Sequence, residues 1–227
     1  MAYILHIESA TTNCSIALSN KGKVLASKEL NAANYSHAEN LHDFIQQVVQ
    51  NAEIKMNQLD AVSVSKGPGS YTGLRIGVSA AKGLAFGLQI PLISVETLHS
   101  LALQLEIEIG LIVPMLDARR MEAYTQIFSA KHDALNKVEA KVLDAHSFQT
   151  ELKVNQVHFL GSAAAKFAEI CDHSNAAFYP GFVPSAKEQA QVAFLKYKQQ
   201  EFEDTAYFEP FYLKDFVARK PKQKKGI

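Results

Sequence analysis

The chain has no net charge, with 23 basic residues against 23 acidic ones among 227, and only two cysteines. No apolar run approaches the roughly 18 residues of a membrane span, and residues 3–7 are too few for a signal-peptide core. The sequence therefore predicts no membrane association and a cytoplasmic location. Cys14, in a strand-like run, and Cys171, on the apolar side of a helix-like run, have no partners at metal-ligand spacing. Buried thiols are expected of both, in preference to a disulfide or a reactive site. The neutrality hides an asymmetry: ARKPKQKKGI, 218–227, holds five of the basic residues and no acid, which leaves the body mildly acidic. Phosphate binding needs clustered Lys and Arg, so the body is not expected to carry a nucleic-acid face. The tail is the visible basic patch; a solvated terminus is the first expectation and a polyanion contact the alternative.

AYILHIE (2–8), NCSIALS (13–19) and KVLASKEL (23–30) read as three short strands, the last two joined by a turn at Ser19-Asn20-Lys21-Gly22. A helix is expected over 36–51: Ser36 and Glu39 form a capping box, and Leu41, Phe44, Ile45, Val48 and Val49 fall on one stripe. LDAVSVS (59–65) is a strand and 72–86 a helix ended by Gly87, with another strand at 90–95 and a linking helix near 97–105. The order then restarts. Strands are expected in 110–118, 122–130, 137–145, 156–161 and 176–179, and helices over 147–152, 161–173 and 185–200. Two βββαβα lobes in one α/β chain is the arrangement of the actin-like, sugar-kinase and Hsp70 ATPase (ASKHA) fold, here with a reduced second lobe. The expected division is a first lobe at 1–105, a smaller second lobe at 106–217 whose last helix can pack back on the first, and the basic tail at 218–227.

GPGSYTG (67–73) lacks the lysine of a Walker A loop and is out of step with G-x-G-x-x-G, so a tight strand-to-helix turn is expected before a phosphate cradle. Behind it Gly73, Gly77 and Ala81 recur every four residues beside Ala80 and Leu84. Glycine inside a helix costs about 1 kcal/mol relative to alanine, so something should pack closely on that stripe. The candidates are a neighbouring helix of the same chain, the one over 36–51, or a second protein, whose interface would take Leu41, Phe44, Gly73, Gly77, Ala80, Ala81 and Leu84. His37 and His42 are five apart and cannot share a metal as an i, i+4 pair does, and His99 stands alone. No metal site or catalytic constellation is expected. ESATTNC (8–14) offers Ser9, Thr11 and Thr12 where the actin-like fold has its first phosphate loop. LDARRMEAY (116–124) puts Arg119 and Arg120 at the equivalent bend, where nucleotide-binding relatives use glycine. These five are candidate weak anion or nucleotide contacts, with ordinary turn and surface roles as the alternative.

IESATTNCSIAL, KGPGSYTGLRIGVSAAKGLAFGLQIPLISVETL and MLDARRMEAY, in that order, closely resemble the bacterial TsaB (YeaZ) family. The resemblance implies a shortened actin-like paralogue of TsaD, which transfers threonylcarbamoyl to the adenosine beside the anticodon of tRNAs reading codons that begin with A. It implies a non-catalytic subunit that forms a heterodimer with TsaD through first-lobe helices and works with the ATPase TsaE. This chain would bind no cofactor tightly, ATP and a metal would act in the complex, and tRNA would be met indirectly. TsaD carries a metal-binding H-x3-H pair after its last first-lobe strand; VETLHSLAL here retains only His99. Glu8-Ser9-Ala10 departs from the usual TsaB I-D-T-S, which weakens any inherited phosphate contact there. A homodimer is plausible in the partner's absence. The rival reading is an ATP-dependent phosphotransferase with Arg119 or Arg120 at phosphate and Glu8 or Asp117 at magnesium; a metallopeptidase stands third.

Overall fold

Period-two alternation sets up the first sheet. The computed structural model describes residues 1–32 and 37–214; Ser36 of the expected capping box and the basic tail lie outside them. β1 (Tyr3–Glu8), β2 (Asn13–Asn20) and β3 (Lys23–Asn31) form an antiparallel meander. Lys21 and Gly22 turn the second hairpin with φ of 51° and 79°, which matches strand twist in a two-residue loop. β4 (Ala61–Gly67) and β5 (Leu92–Glu96) add in parallel beyond β1, giving the order β3-β2-β1-β4-β5. On one face Leu5, Ile7, Ile16, Val62 and Val64 pack under α1 (His37–Asn51) and α2 (Tyr71–Leu88). Cys14 is buried in that core as a free thiol. Gly87 does not end α2: the helix runs on to Leu88, and Gln89 caps it at φ 55°.

The second sheet repeats this order with less on it. β6 (Leu111–Asp117), β7 (Glu122–Thr125) and β9 (Glu139–Val142) are antiparallel neighbours, and β8 (Phe128–Ser129) pairs with β6 off the main path. β10 (Val157–Leu160) and β11 (Ala176–Tyr179) lie parallel to β6, so β9-β7-β6-β10-β11 mirrors the first sheet strand for strand. After β5 comes α3 (Thr97–Ala102). The helices of the second lobe are one or two turns, α4 (Gln149–Val154) and α5 (Ala164–Ala168). The helix expected over 161–173 is thus cut to α5. Gly161, at φ 108° and close to the Met115 carbonyl, stands outside helical backbone, so the helix begins after it.

The last helix, α6 (Gln189–Gln199), returns to the first lobe. Ala193, Val192, Phe194 and Tyr197 cover Ile4, Ala61, Ile93 and Val95, so the first sheet is buried on both faces. A strap, 201–214, follows without regular structure. Glu203 bridges to Leu92, Lys82 donates to the carbonyls of Ala206 (3.1 Å) and Phe208 (2.9 Å), and the Phe211 amide donates to the Lys66 carbonyl (2.7 Å). Arg75 lies over the Tyr71 ring and donates to the Tyr212 hydroxyl at 3.3 Å. The strap ends at Lys214, paired with Glu122 of β7.

Candidate functional site

The glycine stripe is packed against β1, not against α1 and not against solvent. A Cβ at Gly69 would sit 2.5 Å from the Ala10 carbonyl oxygen, one at Gly73 would collide with the Ser9 carbonyl and one at Gly77 with the Ser9 hydroxyl. These three glycines let the exit of β1 ride on the start of α2. Ser9 Oγ donates to the Gly73 carbonyl at 2.8 Å, and the Ser70 amide donates to the Ala10 carbonyl at 2.6 Å. Ser70 caps α2 by accepting from the Gly73 amide. The amides at Ser70 and Gly73 are therefore engaged within the chain and are not offered to a phosphate.

This corrects five expected interface residues. Gly73, Gly77, Ala81, Leu41 and Phe44 are buried in the first lobe: Ser9, at the exit of β1, occupies the room left at Gly73 and Gly77, while Ala81, Leu41 and Phe44 pack into the hydrophobic core. Ala80 and Leu84 differ: half-buried, they line an open, mainly apolar groove between α1 and α2 with Ala38, His42, Arg75, Ile76, Ser79 and Gly83. Gly83 has open space where its side chain would be, and Phe86, one turn on, is 80% exposed.

Glu8 ends β1 wholly buried. Its carboxylate accepts from the Ala10 amide (2.7 Å) and the Ser65 hydroxyl, while Gln189 donates to Ser65 Oγ and to the Ile7 carbonyl, both at 3.0 Å. Burial pushes the Glu8 carboxyl from 4.5 up to about 7, and the Ser65 and Ala10 hydrogen bonds restore only part of it. His6, on the same face, is pushed down to about 3 by burial. Such a carboxyl is a poor magnesium ligand, and Gln189 from α6 already occupies its approach. The hydroxyls beside it are engaged too: Thr12 donates to Asn31 Oδ1 at 2.8 Å, and Thr11 Oγ1 accepts from the Asn13 amide at 3.3 Å.

The β6–β7 turn is filled from within. Lys166 of α5 donates to the carbonyls of Arg120 (2.8 Å) and Glu122 (2.6 Å) and pairs with Asp117. Asp117 also accepts from the Arg119 amide at 3.1 Å. Arg119 and Arg120 stand at φ 70° and 50°, exposed. A nucleotide phosphate approaches backbone through glycine; here two side-chain-bearing residues and an internal cation take that place, so the residues do not fit a nucleotide as they stand. Among the described residues no group of three or more His, Cys, Asp or Glu is placed to hold a metal ion. His99, half-buried, stacks on Phe128. Sequence reading missed Lys166, Gln189 and the Tyr212 strap. None has a local signal, since their partners lie 46, 124 and 137 residues away.

Two sheets of one strand order, the second reduced and the last helix returned to the first, define the class: an actin-like ATPase (ASKHA) fold. A solved Pseudomonas aeruginosa protein, described as uncharacterized with similarity to the peptidase YeaZ, superposes with a TM-score of 0.83 over 94% of this chain and 100% of its own, at 22% identity. The family model described as TsaD, tRNA N6-adenosine threonylcarbamoyltransferase, matches residues 25–222. The tRNA threonylcarbamoyladenosine biosynthesis protein TsaB of Bacillus subtilis is 30% identical over 93% of this chain and 93% of its own length. That of Haemophilus influenzae is 27% identical over 96% and 95%. The chain belongs to the TsaB (YeaZ) group within this TsaD family.

Proposed function

We propose that this chain is a non-catalytic subunit in tRNA threonylcarbamoyladenosine biosynthesis, docking a TsaD-like transferase through the α1–α2 groove. One contrast supports the reading above all: both phosphate-loop positions are closed by the chain's own groups, while the helix pair presents an open apolar groove. The transferase would act on the adenosine beside the anticodon of tRNAs reading codons that begin with A. A TsaE-like ATPase completes the assembly, and ATP and the metal act there. Without its partner the same groove pairs two copies of this chain, and the setting is the cytoplasm.

The test is heterodimer formation with a TsaD-like transferase, measured by calorimetry and gel filtration. Ala80→Arg and Leu84→Arg place a charge in the groove without entering the core, and should weaken binding about 30-fold or more, roughly 2 kcal/mol, with circular dichroism unchanged. Normal affinity in a folded double variant would count decisively against this docking face. Gly77→Leu and Ala81→Leu, which the sequence alone would suggest, are unsuitable because they strike Ser9 and the core.

A further inference from the structure

The chain crosses between its two sheets twice, once through α3 to β6 and again from β11 to α6. The second crossing is fastened by a row of polar bonds. Asn13 Nδ2 donates to the Pro184 carbonyl and the Ala186 amide to Ser15 Oγ, both at 3.0 Å. Glu29 accepts from Ser185 Oγ at 2.9 Å and pairs with Lys187 at 2.8 Å. Gln189, wholly buried at the start of α6, accepts from Ser63 Oγ at 2.8 Å besides its bonds to Ser65 and Ile7. α6 makes its apolar contact with the sheet further on, through Val192, Ala193, Phe194 and Tyr197. Water can take the place of polar bonds at small net cost, so residues 184–189 are the part of this seat that opens most readily.

Glu8 lies under this seat, wholly buried, and Ser65 links it to Gln189. Burial acts on its carboxyl against hydrogen bonds from Ser65, Ala10, Ser9 and Gln189, all neutral donors. A carboxylate there has no counter-charge, so ionisation favours any conformation that lets water reach it. His6 on β1, pushed by burial to about 3, and Cys14 on β2, pushed by burial to about 11, are neutral from pH 6 to 8. Glu29 on β3 stays ionised, because Lys187 and Ser185 outweigh the effect of its burial. Lys66 on β4 pairs with Glu96, and Lys196 of α6 and Glu203 of the strap are both tied to Ser94. His99 of α3, lowered by burial, responds to Glu96, His132 and Lys196 rather than to Glu8. α2 brings the uncharged Gly73 and Gly77 to Ser9. Burial also raises Glu188, the neighbour of Gln189, which therefore needs its own control.

We propose that residues 184–189 and the first turn of α6 are a proton-controlled latch between the lobes, seated while Glu8 is neutral and opening locally when it ionises. Opening releases the polar fastening of one of the two crossings and leaves the apolar part of α6 in place. The second lobe thereby gains freedom to turn on the first without loss of the fold. Burial, which sets the Glu8 carboxyl at about 7, puts the change close to neutral pH.

The experiment is hydrogen exchange of the full chain, followed by mass spectrometry at pH 6 and pH 8 and corrected for the intrinsic rate at each pH. A carboxyl at 4.5 when hydrated and about 7 when seated favours opening about tenfold more at the higher pH. Peptides covering 184–191 should therefore lose about tenfold in protection from pH 6 to pH 8, while those of α1 and β10 keep theirs. Glu8→Gln should abolish the loss, and Glu188→Gln should retain it. A loss spread evenly over all peptides, one that persists in Glu8→Gln, or one that vanishes in Glu188→Gln would overturn the proposal. Should Glu8→Gln fail to fold, the Glu188→Gln chain decides by carboxyl-carbon NMR. One glutamate should still titrate near pH 7, in step with the loss of protection at 184–191; its absence, or a midpoint that does not follow the protection, would overturn the latch.

Discussion

Gly73 and Gly83 lie in one helix and ask for opposite treatment. Alanine at Gly73 drives a Cβ into the Ser9 backbone carbonyl, where only a shift of β1 against α2 makes room. It should cost about 2–4 kcal/mol by chemical denaturation. Gly83 has no atom within 4 Å of its absent Cβ, so Gly83→Ala should stabilise by about 0.5–1 kcal/mol through helix propensity. Equal effects would refute the packing described. Glu8 makes a second prediction at this scale. Its neutral form is favoured in the folded chain, so the stability it contributes is full below pH 4.5 and is lost as pH rises through about 7. His6 works in the other direction, contributing above 6.5 and losing that as pH falls toward 3. Comparing Glu8→Gln with the parent isolates the carboxyl. The two should match near pH 4.5, and the variant should be more stable at pH 8 by up to about 3 kcal/mol. A gap that does not change with pH would contradict it.

Among the elements, the sequence shows clearly what repeats with a short period. The α1 stripe from Leu41 to Val49 and the alternation through β1 and β2 are local, and the structure has those elements. The closeness demanded by Gly73 and Gly77 was legible as well. Its direction was not, because a small-residue stripe says that something approaches without saying whether strand or helix. The closed β6–β7 turn is illegible for a related reason. Lys166 looks like any surface lysine of a short helix until the fold brings it under Arg120 and Glu122. Lys166→Met should therefore destabilise by about 1–2 kcal/mol, leaving those carbonyls and Asp117 without their cation. A surface lysine would show no measurable change in the same urea titration. The strap is the hardest element to read, since its contacts come from single residues, Glu203, Phe208, Phe211 and Tyr212, at no regular spacing.

For the molecule as a whole, the actin-like architecture survives while the features that serve nucleotide chemistry are turned to packing. Glycines at the first loop let a strand and a helix meet, and a lysine closes the second. The α1–α2 groove stays open. The central claim, that the chain acts by docking rather than by chemistry of its own, is tested most directly by reconstituting tRNA modification with TsaD-like and TsaE-like partners. Modification should require this chain, fall by at least an order of magnitude with Leu84→Arg, and persist with folded Asp117→Asn. Full modification with Leu84→Arg, or loss of it with Asp117→Asn, would contradict the account.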